Sequence, residues 1–137
     1  MSENNNLKLL KEAYQYWNDN REQAFENWMN LMSEDVKFES IADGAKGMEF
    51  TRCCNCKNDV LRYFKELVSE WEMIHYTVNE YIASGDRIVA IGTCGWKNRR
   101  TGKVIDTPKA DIIRMKDSKI VDFYEFYDTA KALEAAK

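Results

Sequence analysis

The chain has 137 residues, 45% of them hydrophobic and 31% charged, with a formal net charge of −3. That length bounds it to one domain, residues 1–137, able to bury a core without disulfides or a structural metal. Mixed, slightly acidic charge argues against nucleic acid as a partner, since such proteins concentrate a basic surface. No apolar run nears the ~20 residues of a membrane-spanning helix. The polar start Met1-Ser-Glu-Asn-Asn-Asn6 lacks the basic-then-apolar order of a signal peptide. A cytoplasmic protein with no membrane partner is expected.

Leu7, Leu10, Ala13, Tyr14 and Trp17 fall at helical spacing, so a first helix is expected from Leu7 to Trp17. After the polar break Asn18-Asp-Asn20, the positions of Ala24, Phe25, Trp28, Met29, Leu31 and Met32 predict a second. Val36 to Ile41 reads as a short strand and Ala42 to Gly47 as a loop. The cluster Cys53-Cys54-Asn55-Cys56 follows. Structural zinc wants cysteine pairs two to four residues apart, with a second pair or histidines downstream. Here only Cys94 and His75 remain elsewhere, so no metal is expected and the thiols read as free. A third helix is expected from Asp59 to Trp71, capped by Asn58.

Beyond residue 73 the pattern changes to period two. Ile74–Ala83 and Arg87–Lys97 read as strands around the turn Ser84-Gly85-Asp86, and Val104–Met115 and Lys119–Tyr127 as two more. The basic group Lys97, Arg99, Arg100 and Lys103 falls on the hairpin tip between the second and third of these, where solvated charge is expected. Lys131 to Ala136 is a short Ala-rich tail. Helices followed by an antiparallel meander form the α+β pattern, helices on one face of a curved sheet.

The third strand of the meander carries Asp111, Ile113 and Met115 on one face. A carboxylate in such a row needs a partner or a cavity, because burying an unpaired charge is costly. It sits in a core bonded to Tyr14 or Tyr16, or it lines a pocket. In the last strand Phe123, Glu125 and Tyr127 form one row and Asp122, Tyr124 and Phe126 the other. Both carry aromatics and an acid, so alternation leaves open which row faces inward. Asp128 either caps the tail or contributes to a site.

The helix-helix-helix-meander order, the hairpin Ile82-Ala-Ser-Gly-Asp-Arg-Ile-Val89 and the ending Lys119-Ile-Val-Asp-Phe-Tyr-Glu-Phe-Tyr-Asp-Thr129 together resemble the nuclear-transport-factor-2-like superfamily, in its SnoaL-like and ketosteroid-isomerase-like branch, over about residues 7–130. The resemblance implies a cone, three N-terminal helices packed on a strongly bent antiparallel sheet, with an apolar pocket at the open end. It also implies a homodimer formed through the outer sheet face. Asp111 takes the place of the protonated Asp of ketosteroid isomerases, and Tyr14 that of the oxyanion-hole Tyr, with Tyr16 as competitor. Trp17, Phe38, Ser40, Trp96, Met115, Glu125 and Tyr127 fall to the pocket wall. Ser40 stands where the family's base belongs, and an alcohol abstracts no proton at neutral pH without a base of its own. Steroid isomerisation is therefore not expected.

Limonene-epoxide-hydrolase-like relatives end in a phrase resembling Phe126-Tyr127-Asp128. They also need an Arg and a second Asp, which Ala90-Ile-Gly-Thr-Cys-Gly95 does not supply. SnoaL cyclases close rings with acid-base help from Asp and no cofactor, which suits Asp111 and Asp128. No phosphate loop, nucleotide fingerprint or metal cluster calls for a cofactor. The expectation is a cofactor-free isomerase, cyclase or hydrolase acting on a small apolar, carbonyl-bearing or cyclic molecule. The alternative is a binding or dimerisation module with a vestigial site.

Overall fold

The computed structural model describes residues 2–137; Met1, the first residue of the polar N-terminus, lies outside the described residues. Helix α1 runs Ser2–Asn20, α2 is the single turn Glu26–Met29, and strand β1 is Met32–Ser40. Helix α3 is Lys57–Glu70, strands β2 to β5 are Trp71–Ser84, Arg87–Asn98, Val104–Lys116 and Lys119–Tyr127, and α4 is Thr129–Ala135. The strands form one sheet in the order β1-β5-β4-β3-β2. It curls around the helices as an α+β cone, with one continuous core between the layers.

The meander β2 to β5 is antiparallel throughout. Strand β1 joins the far edge parallel to β5, with Phe38 beside Phe123 and Ser40 beside Glu125. That pairing also accounts for where β1 begins. Met32 lies opposite Ile120 and the Ile120 N–H donates to the Leu31 carbonyl at 2.7 Å. The pairing therefore draws Leu31 and Met32 out of the helical stretch that their apolar spacing predicts. Arg21, with φ of 68°, turns the chain after α1. Only a 3-10 turn, Glu22–Ala24, and α2 then remain of the second helix.

Helix α3 starts two residues earlier than expected, so Asn58 lies inside its first turn rather than at its cap. Cys56 holds the cap position, and the Asp59 carboxylate accepts the Asn55 N–H at 3.1 Å. The tail is a folded helix. Asp128 is its N-cap, accepting the Lys131 N–H at 3.1 Å, and Ala132 and Ala135 are buried beneath it. The basic hairpin tip is committed to internal contacts. Arg99 pairs with Glu22 at 2.6 Å, and Arg100 and Thr101 donate to the Ala136 and Ala135 carbonyls.

Two register shifts in β2, at Met73/His75 and Val78/Glu80, bend it against β3. At the second, the β2 backbone comes so close to Gly92 that a Cβ there would stand 1.8 Å from the Thr77 carbonyl oxygen. Only glycine fits this approach. Gly92→Ala is expected to cost about 3 kcal/mol and to lower the melting temperature by roughly 10 °C. A calorimetric scan showing a change under 2–3 °C (roughly 1 kcal/mol) would remove the bend from the fold's requirements.

Candidate active site

The inner row of β4 is Thr107, Lys109, Asp111, Ile113 and Met115, all buried. Register places Asp111 directly opposite Glu125 of β5 and Lys109 opposite Tyr127. Two like charges facing each other across a strand pair repel. Lys109 resolves this, its Nζ standing 2.7 Å from Asp111 Oδ1 and 3.1 Å from Glu125 Oε1. The ammonium also lies 5.5 Å from the ring centres of Tyr76 and Tyr127. Burial alone would lower the Lys109 pKa, but the charges of Asp111 and Glu125 outweigh it and hold it well above the usual lysine range.

Tyrosines complete the network. The Tyr14 and Tyr76 hydroxyls donate to Asp111 Oδ2 at 2.6 and 2.8 Å. The Tyr63 hydroxyl, from α3, donates to Glu125 Oε2 at 2.5 Å. Tyr127 and Ser40 share a hydrogen bond of 2.8 Å. Burial first, and the neighbouring carboxylates second, push Tyr14, Tyr63 and Tyr76 well above the ordinary tyrosine range. Tyr127 is raised for the same two reasons. Burial lifts the nearby Cys94 thiol to about 12. At neutral pH these groups are donors holding their protons.

A cavity of about 80 Å³ opens beside this network. Aromatic side chains dominate its walls, among them all four tryptophans, Trp17, Trp28, Trp71 and Trp96, and Ala132 of α4 also borders it. Tyr14, Tyr63, Tyr76, Thr107, Lys109, Glu125 and Tyr127 are the hydroxyl-bearing and charged residues that line it. Glu125 is the one carboxylate among the described lining residues. The site can therefore accept a proton at one position and offer several donors around it.

A family model, the SnoaL-like domain, matches residues 10–123. The chain belongs to the SnoaL-like family. Solved structures share the fold. An NTF2-like protein from Burkholderia thailandensis is 21% identical with a TM-score of 0.81, covering 96% of this chain and 97% of its own. A protein of ketosteroid isomerase-like fold from Catenulispora acidiphila, in complex with trimethylamine, is 13% identical with a TM-score of 0.74, over 93% and 91%. TerC, co-crystallised with polyporic acid, is 18% identical with a TM-score of 0.77, over 96% and 97%. No curated protein matches the chain.

In this SnoaL-like domain Tyr14, Trp17, Phe38, Trp96, Glu125 and Tyr127 stand on the cavity wall. Asp111 does not. It lies behind the wall, 1% exposed, and every group bonded to it is a donor. Its two oxygens accept from the Tyr14 and Tyr76 hydroxyls and from the Lys109 ammonium, and neither oxygen reaches the cavity wall. The expected oxyanion hole of Tyr14 and Asp111 gives way to an ion-paired anchor. Tyr16 is 47% exposed and plays no part. Met115 is packed in the core, Ser40 reaches the site only through Tyr127, and Asp128 caps α4 away from the cavity. His75 pairs with Asp106 at 3.0 Å, across Gly95 on the outer face of the sheet.

Three partners escaped the sequence reading: Lys109, Tyr63 and Tyr76. Lys109 was within reach, because extending the Asp111-Ile113-Met115 row back by two residues lands on it. A buried lysine is rare without paired acids, and those become visible only when β5 is laid beside β4.

Proposed function

We propose that this SnoaL-like domain binds a small, neutral, cyclic carbonyl compound and moves a proton on it without a cofactor. The observation behind this reading is Glu125 beside Lys109 on a wall made mostly of aromatic and aliphatic residues. Glu125 is the group able to take a proton from the carbon next to the carbonyl. Lys109 has three ammonium protons and gives two to Asp111 and Glu125. The third is left for the carbonyl oxygen. As the proton passes to Glu125, negative charge passes to that oxygen, where Lys109 and the Tyr127 hydroxyl stabilise it.

Charge is relocated in this step, not created, which suits a buried site. An anionic ligand would instead join two carboxylates that share one ammonium. Carboxylic acids of the same shape as a bound ketone are expected to bind roughly tenfold or more weakly, because their charge is desolvated without a free partner. Competition titration of matched ketone and acid pairs checks this.

The test uses 1-indanone, with binding read by tryptophan fluorescence and proton transfer by loss of its α-proton NMR signal in D2O. Wild type should bind it and speed the exchange. Glu125→Gln should still bind, with exchange slowed ~10²–10⁴-fold. No binding, or equal exchange in the variant, sinks the reading. Binding without exchange in the wild type would make this a carrier or sensor, a reading favoured by Ser40 at the family's base position.

A homodimer formed through the outer sheet face is part of the proposal. Tyr124 stacks on Phe126 there at 4.5 Å, and Ile74, Ile82 and Val104 are exposed on the same side. Light scattering should give twice the 16.1 kDa chain mass; a single-chain mass at micromolar concentration would refute it.

A further inference from the structure

The cavity has a volume of about 80 Å³, whereas a dry cavity that takes up benzene measures roughly 150 Å³. A cyclic ligand therefore enters only if part of the wall gives way. Most of the wall yields at high cost, because it consists of large side chains from α1, α3 and the sheet packed ring against ring. Phe38 and Phe123 have ring centres 4.8 Å apart, and Trp17 and Phe64 5.8 Å.

Helix α4 is the exception. Ala132 is the residue it gives to the wall, and its buried side chains are Ala132 and Ala135, followed by Ala136. Half-buried Leu133 is its one larger apolar contact with the core. Alanines bury little apolar area, so lifting this helix exposes little to water. Ala130, Lys131 and Glu134 are exposed on its other side, so a single helix separates the cavity from solvent here.

Much of what fastens α4 is polar, and it comes from the basic hairpin tip. Thr101 Oγ1 donates to the Ala135 carbonyl at 2.6 Å, Arg100 to the Ala136 carbonyl, and Lys103 Nζ to the Glu134 carbonyl at 3.3 Å. These are the carbonyls a helix end leaves without intrahelical partners. At the other end the Asp128 N–H donates to Thr107 Oγ1 at 2.9 Å. Bonds of this kind are exchanged for bonds to water on opening, at small net cost each.

We propose that α4 is a lid on the cavity, hinged near Asp128 and latched by the Arg100-Thr101-Lys103 tip, and that ligands enter by its lifting. The need for entry of a whole ring rests on the carbonyl reading above; the latch itself does not. Opening is local, leaving the pairing of β4 and β5 intact.

Three measurements test it. In native-state hydrogen exchange the α4 amides of wild type should exchange at least ~10²-fold faster than those of β4 and β5. Thr101→Val removes one latch donor at nearly constant shape. It should speed α4 exchange by roughly three- to tenfold, the worth of one hydrogen bond, and leave β4 and β5 unchanged. Stopped-flow tryptophan fluorescence should show 1-indanone associating faster with this variant by a similar factor. Acrylamide, a small neutral quencher that needs no affinity for the site, should quench the variant more strongly, since all four tryptophans line the cavity.

Protection of α4 equal to that of β4 would overturn the lid. So would faster α4 exchange in Thr101→Val with association and quenching both as in wild type, since the helix would then fray without admitting anything. Failure of 1-indanone to bind wild type counts against the carbonyl reading, and exchange and quenching then decide the lid.

Discussion

Lys109→Met is expected to destabilise the protein by about 3–5 kcal/mol, a large part of the ~5–15 kcal/mol typical of a whole domain. The variant keeps the aliphatic stem and removes the charge. Asp111 and Glu125 then face each other across β4 and β5 with no cation between them. Both are buried, so solvent cannot screen the repulsion. The loss comes from stranded charge rather than lost packing, and that is separable. Combining Lys109→Met with Asp111→Asn and Glu125→Gln removes all three charges and should recover most of the stability, as buried ion networks generally allow. Urea midpoints at unchanged slope measure both effects. A loss below ~1 kcal/mol for Lys109→Met, the scale of an exposed pair, would show that water reaches the network.

Alkaline pH should unfold the protein with a steepness set by the same residues. Lys109, Tyr14, Tyr63, Tyr76 and Tyr127 all have folded-state pKa values above their ordinary ones. Above pH ~10 the unfolded chain releases these protons while the folded chain keeps them. The folded state then binds more protons, so stability falls as pH rises. The contribution is complete below the unfolded values and is lost on the way up to the folded ones. Each group removes about 1.4 kcal/mol per pH unit, and five together on the order of 5 kcal/mol by pH 11. Burial raises Cys54 to about 11 and Cys94 to about 12, which starts the decline near pH 9. Denaturation midpoints at pH 7, 9, 10 and 11 (spanning the tyrosine and lysine range) should fall accordingly. Phenolate absorbance gives an independent view: of seven tyrosines, these four should ionise only as the chain unfolds. All seven titrating near pH 10 with the fold intact would show the network open to solvent.

Local pattern was enough to determine the order of elements. Helical spacing marks α1 and α3, period two marks β2 to β5, and each hairpin has its turn residues. The row Asp111, Ile113, Met115 was visible too, because side chains alternate faces along a strand whatever the strand pairs with. Which row of β5 points inward was not visible, since both rows offer aromatics and an acid. Register decided it by setting Phe123 against Ile113 and Glu125 against Asp111. The parallel place of β1 beside β5 was equally hidden, for it joins residues as far apart in the sequence as Phe38 and Phe123. Lys109 shows the reason most plainly. Read along the chain, a lysine belongs in water; here Asp111 and Glu125 make its burial tolerable, and one of those partners comes from another strand. Asp111 drew notice as an acid among apolar residues, yet whether it faced a ligand or an ion pair depended on side chains from α1, β2 and β5. Alternation and helical spacing are properties of neighbours in sequence, whereas the charge state and exposure of a buried group are set by whatever the fold packs against it.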